Sequence, residues 1–140
     1  RPLSQEDRDT LGDDKLYKNL QGTLPAISLV SQTSIATAFM NDVEPDMVFA
    51  QQVYGYRNKE SVLIGISTSG NASNVENAVR VANAFGMKTI GLTGKSGGKL
   101  SDICTVTIKA PAVETYRVQE YHLPIYHALC AMVEADNFKE

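Results

Sequence analysis

The stretch Ser61-Val-Leu-Ile-Gly-Ile-Ser-Thr-Ser-Gly-Asn-Ala-Ser-Asn-Val75 decides how the rest of the chain is read. Its apolar run, Val62 to Ile66, is of the kind that forms a buried strand. Three consecutive hydroxyls follow (Ser67, Thr68, Ser69), then Gly70, Asn71, Ala72 and Ser73. Val75, Ala78, Val79, Ala82 and Phe85 then recur at spacings of three and four, the pattern of a helix with one apolar face. Strand, hydroxyl-rich turn and helix start is how an α/β protein builds a phosphate site. The N–H groups at a helix start have no intrahelical partner, the macrodipole favours an anion there, and hydroxyls add donors.

Composition narrows the class. A chain of 140 residues is one ordinary domain, and 43% apolar residues suffice for a real core. The charged fraction, 21%, argues against a disordered chain. The net charge is −3 with no basic run, so nucleic acid is not an expected partner. No apolar stretch nears the roughly 18 residues of a membrane span, and no signal peptide is visible, so no membrane partner and a cytoplasmic location are expected. Cys104 and Cys130 fall in a strand-like and a helix-like segment and are expected to be reduced core residues. The chain opens on Arg1 and not on methionine, which allows the numbering to start inside a longer protein.

Outward from the opening stretch, the pattern repeats. Residues 1–24 are polar and weakly periodic and are expected to be a surface insertion. Ser4 should cap a first short helix, and Asp13 to Leu20 is read as a second, which Gly22 and Pro25 end. Ala26 to Val30 is predicted as a strand, with the polar turn Ser31-Gln-Thr-Ser34 and a helix over Ile35–Met40 after it. Asn41-Asp42 closes that helix, and Pro45 opens the next, whose apolar face is Met47, Val48, Ala50, Val53 and Tyr54. Beyond the opening stretch, with its helix at about 72–85, come a strand over Lys88–Thr93 and a glycine-rich turn, Gly94–Gly98. A short helix through Leu100 and Ile103, a strand over Thr105–Lys109 and a long helix from Val113 to about Asn137 complete the chain. Strands alternating with amphipathic helices predict an α/β three-layer sandwich, a parallel sheet with helices on both faces. Ligands in such folds bind beyond the carboxyl ends of the strands, where both hydroxyl-bearing turns lie.

Ser67, Thr68 and Ser69, with Asn71 and Ser73, exceed what one helix cap needs, and anion binding is the expected role. Gly94–Gly98 lacks the spacing of a Walker loop and is expected to be a tight turn. The last helix carries a second polar group: Arg117, Gln119, Glu120, His122 and His127, including both histidines of the chain. On a regular helix Glu120 and His127 lie about 20° apart and Gln119 and His127 about 80° apart, close enough to converge on one ligand. Pro124 removes a helical N–H just there, so a kink is expected. The plainer alternative is a solvated face with one or two satisfied histidines.

Taken together, Gly65-Ile-Ser-Thr-Ser-Gly-Asn71, Thr89-Ile-Gly-Leu-Thr-Gly94 with Gly97-Gly98, and Arg117-Val-Gln-Glu-Tyr-His122 with His127 resemble the sugar isomerase (SIS) superfamily. The chain is most similar to its phosphoheptose isomerase branch, over about residues 25–138 of a single SIS domain, with the flavodoxin-like fold that implies. The resemblance implies a ketose–aldose isomerisation of sedoheptulose 7-phosphate through an enediol, in heptose and lipopolysaccharide synthesis. It implies that Ser67, Thr68 and Ser69 hold the substrate phosphate, with Asn71 and Ser73 beside them. Asp42 would bond sugar hydroxyls, Gln119 would contact substrate or metal, and His127 would be the catalytic acid–base group. Some members bind zinc through such a glutamine and histidine plus two upstream ligands, so Gln119 and His127 are the candidate zinc ligands here. A homotetramer with shared sites is also implied.

Ala72 stands where the family usually has a further serine, and Tyr116 where it commonly has aspartate. The family's first strand, its Gly-Asn-Gly-Gly-Ser loop and the helix with a catalytic glutamate and a histidine have no counterpart after Arg1. The expectation is a longer protein with about 50–70 further residues, typical of a single domain. Because that first strand is central, an apolar sheet edge should be exposed without it. The competing reading is a non-catalytic SIS module, either phosphosugar-binding or of the replication-initiator-associating type.

Overall fold

The structure is a computed structural model that describes residues 1–138. The chain divides into two compact units, Ser28–Pro124 on the one hand and Arg1–Ile27 with the residues from Ile125 onward on the other.

The larger unit is α/β. Its parallel sheet has the order β1-β2-β3, with β1 at Val62–Ile66, β2 at Lys88–Thr93 and β3 at Val106–Lys109. Register aligns Ile64 with Ile90 and Ile90 with Val106. The helices of this unit are α3 (Thr33–Asp42), α4 (Val48–Tyr56), α5 (Ser73–Ala84) and α6 (Leu100–Ile103), with 3₁₀ turns at Leu29–Ser31 and Pro45–Met47. Helix α7 (Thr115–Asn137) begins in this unit and contains Pro124.

The core explains the order of elements. Leu63 from β1 packs with Val53 of α4, Ala78 and Ala82 of α5, and Met87. Gly65 lets α5 come close over the strand: a Cβ there would lie 3.0 Å from the Val75 side chain. A second cluster joins Val118 of α7 to Ala110 and Ala112, just past β3. The face of the sheet opposite α5 carries Val62, Ile64, Ile66 and Val106, each between 52% and 55% exposed. The run Val62–Ile66 is thus a strand buried on one side, as its alternating burial shows. Among the described residues no strand pairs with the outer edge of β1.

One expected strand is corrected. Residues 26–28 have no regular structure and Leu29–Ser31 is a 3₁₀ turn. A strand exists by pairing its N–H and C=O groups with a neighbour, and Ala26–Val30 has none in this sheet. Ile27 and Val30, expected in that strand, are 54% and 75% exposed.

In the smaller unit, α1 (Gln5–Leu11) starts on a capping box in which the Ser4 Oγ accepts from the Asp7 N–H and the Asp7 carboxylate accepts from the Ser4 N–H. Helix α2 (Asp14–Asn19) is capped by Asp13, whose side chain accepts from Lys15 and Leu16 N–H. Neither helix has a buried residue. Arg1 pairs with Glu134 of α7 in the same unit.

Candidate active site

The turn after β1 is held by its own hydroxyls. Ser67 is buried, and its Oγ accepts from the N–H groups of Gly70 (3.1 Å) and Ala72 (3.4 Å). The Ser69 Oγ accepts from the Asn71 N–H at 3.1 Å. The Asn71 side chain is engaged twice, its Nδ2 donating to the Ser69 carbonyl and its Oδ1 accepting from the Lys99 N–H. The Ser73 Oγ donates to the Asp46 carboxylate at 2.7 Å. Of the five residues expected to bind an anion, Asn71 and Ser73 therefore have side-chain polar atoms already committed, and Ser67 shapes the turn from beneath. Thr68 and Ser69 lie at its partly exposed surface.

Ala72, a departure from the family pattern, is the N-cap of α5 and supplies no side-chain bond there. The helix start is consequently left without a hydroxyl cap, and its first N–H groups have the positive end of a twelve-residue dipole behind them.

The glycine-rich segment is a turn, as expected, with the Gly97 N–H donating to the Gly94 carbonyl. Its role is to back the hydroxyl turn. The Gly94 N–H donates to the Thr68 carbonyl, and the Leu100 N–H donates to the Gly70 carbonyl at 3.0 Å. The contact tolerates no side chains: a Cβ on Gly98 would lie 2.4 Å from the Ser69 carbonyl oxygen, and one on Gly94 2.6 Å from that of Thr68.

Glu76, in the first turn of α5, went unnoticed in the sequence. It is 6% exposed and pairs with Lys99 (3.0 Å) and Arg80 (2.6 Å). The Lys99 hydrogen bond, followed by the positive charges of Lys99 and Arg80, holds its carboxyl below the ordinary value, against the opposing effect of burial. An acidic residue near a helix start was the available signal, but its partner 23 residues away was not.

The two histidines separate. His122 is 4% exposed and its Nε2 lies 3.0 Å from the Thr93 carbonyl at the end of β2, so it is a satisfied core histidine. His127 is exposed, with its ring edge-on to Tyr126 at 5.0 Å. Gln119 and Asp42 are exposed as well. Gln119 and His127 fall in different units. Among the described residues no group of three or more His, Cys, Asp or Glu side chains could hold a metal. Gln119 and His127 do not amount to a zinc site by themselves.

Both cysteines are free thiols, but Cys130 is exposed and only Cys104 is partly buried, a correction to the expectation of two core residues. The buried residues of its helix are Val118 and His122, so the segment around Cys130 has no buried face to enter.

A parallel α/β sheet with a hydroxyl turn leading into a helix defines a phosphate-binding class of architecture. The SIS domain family matches residues 23–135, and the chain belongs to that family. It is 45% identical over 118 residues to a phosphoheptose isomerase of Aliarcobacter butzleri, covering 84% of this chain and 62% of that one. It is 47% identical to a phosphoheptose isomerase of Nitratiruptor, covering 84% and 63%. Among solved structures, phosphoheptose isomerase GmhA from Neisseria gonorrhoeae superposes with a TM-score of 0.77 at 41% identity, covering 80% of this chain and 64% of that one. The chain thus spans about three fifths of the length of the curated relatives it matches. No helix among the described residues is long and apolar enough to cross a membrane.

Proposed function

We propose that the protein bearing this chain is a phosphoheptose isomerase, converting sedoheptulose 7-phosphate to glycero-manno-heptose 7-phosphate through an enediol in heptose synthesis. The observation that carries this reading is the turn bearing the Thr68 and Ser69 hydroxyls that leads into α5, whose N-cap, Ala72, makes no side-chain bond to the helix start. N–H groups at a helix start and hydroxyls in the turn before it are donors for a phosphate dianion that need no buried cation. The names of the relatives, at 45% and 47% identity, point to the heptose substrate.

In this reading Thr68, Ser69 and the α5 start anchor the phosphate, Ser67 and Asn71 keep the turn in shape, and Ser73 ties the start of α5 to Asp46. Asp42 bonds sugar hydroxyls and Gln119 contacts the substrate. His127 moves protons between the two oxygens of the enediol, while a base takes the proton from one carbon and returns a proton to its neighbour. Zinc, if the whole protein uses it, needs ligands beyond Gln119 and His127. The active form is taken as a homotetramer.

The test is isomerisation of sedoheptulose 7-phosphate by the whole protein, with and without a chelator. Turnover supports the reading, and loss of turnover on chelation adds a metal to it. Absence of turnover in both, with phosphosugar binding retained, replaces it by the non-catalytic SIS module.

A further inference from the structure

We propose that Glu76 and Lys99 are positioning residues for the anion turn, an ion pair that clamps the glycine-rich segment onto the hydroxyls that hold phosphate. The proposal rests on the phosphate-anchoring role given to that turn above. Three observations lead to it.

First, the carboxylate has to be paired. Glu76 is 6% exposed, and a buried carboxylate without a partner is costly. Arg80 supplies one charge from the same helix, four residues on, which ties nothing to anything else. Lys99 comes from another part of the chain, so its ammonium draws the segment before α6 down onto the first turn of α5.

Second, the backbone of that lysine is bonded to the anion turn. The Lys99 N–H donates to the Asn71 Oδ1 at 3.0 Å, and the next N–H, that of Leu100, donates to the Gly70 carbonyl. One residue thus grips the turn with its backbone and the helix beneath it with its side chain.

Third, the pair is one of several ties but the only ion pair among the described residues that links the two segments. The other ties are the Asn71 side-chain bond, backbone bonds and glycine contacts, which let the turns approach but do not hold them under charge. A lysine committed to Glu76 also keeps its charge out of direct phosphate contact, so anion affinity comes from oriented N–H and O–H dipoles.

The experiment uses three variants of the whole protein, Lys99→Met, Glu76→Gln and Lys99→Arg. The readouts are amide hydrogen exchange at Lys99 and Leu100 and the kinetics with sedoheptulose 7-phosphate. Lys99→Met and Glu76→Gln are expected to speed exchange at both amides about tenfold and to raise KM about fivefold, with kcat within about twofold. Lys99→Arg, which keeps the charge, should behave as wild type. Unchanged exchange and KM in Lys99→Met overturn the clamp. A raised KM in Lys99→Met with none in Glu76→Gln also overturns it, because Lys99 would then touch the phosphate itself. If the wild type shows no turnover and binds no phosphate while exchange still rises in the variants, the clamp stands and the functional reading falls.

Discussion

Gly70 and Gly97 meet backbone to backbone: a Cβ on Gly70 would lie 2.0 Å from the Gly97 carbonyl oxygen. Both residues have positive φ, +70° and +80°. The anion turn and the glycine-rich turn are therefore two halves of one packed unit, and neither has its shape without the other.

Gly70→Ala should accordingly destabilise the fold and weaken phosphate binding together. The left-handed backbone alone costs a non-glycine residue about 1–2 kcal/mol, and the clash with backbone atoms cannot be relieved by a rotamer change. Gly12, also at positive φ but with open space around it, supplies the control. Gly12→Ala should cost only the backbone part and leave affinity unchanged. Urea unfolding with phosphate titration measures both, and equal effects at the two positions would contradict the packing argument.

Glu76 gives a pH signature. Its folded carboxyl lies below the ordinary value of 4.5, first because Lys99 donates a hydrogen bond to it. A depressed pKa means that the unfolded chain takes up the proton more readily. The stabilisation is therefore fully present above the ordinary value and is lost as pH falls through the lowered folded value. The stability difference between wild type and Glu76→Gln should be constant from neutral pH to about pH 5 and should shrink below that. Urea midpoints across that range check it, and a difference that ignores acid would remove Glu76 from the linkage.

Ser67→Ala tests whether the first hydroxyl of the turn serves the ligand or the fold. Its Oγ accepts from two backbone N–H groups and is buried. Losing it should cost stability of about 1–3 kcal/mol, because the donors of a buried turn are left unsatisfied. Ser69→Ala loses one solvent-exposed acceptor, that of the Asn71 N–H, so it should cost less stability, about 1 kcal/mol or under, and weaken phosphate binding. Thermal unfolding and phosphate affinity separate the two, and the reverse pattern would exchange their roles.

Legibility followed the range of the interaction. The helix Ser73–Ala84 depends on neighbours within a few residues, and spacing located it, while the strand Val62–Ile66 showed in its apolar run although its pairing partner, Lys88–Thr93, lies elsewhere in the chain. Ala26–Val30 has the composition of a strand, but strand formation is decided by a partner elsewhere, and here it forms none. The same limit hid Glu76. Its position near a helix start was visible, whereas Lys99 became its partner only through the packing of Gly70 on Gly97. Asn71 and Ser73 have donor and acceptor atoms, and composition cannot say that Lys99 and Asp46 already use them.

The histidines provide the last contrast. His122 and His127 sit five residues apart on α7 and look equivalent in a polar pattern. His122 is closed in beside Thr93, so His122→Ala removes a hydrogen bond from a buried carbonyl and leaves a void. It should cost about 2–4 kcal/mol of stability, the sum of an unsatisfied group and a small cavity. His127 is exposed, and its described contact is the edge of Tyr126, so His127→Ala should leave the unfolding midpoint within about 0.5 kcal/mol of wild type. If His127 is the acid–base group, that second variant abolishes isomerisation in a fully folded protein. The paired measurement, unfolding and turnover on each variant, separates a structural histidine from a chemical one. Retained turnover in His127→Ala would take it out of the mechanism.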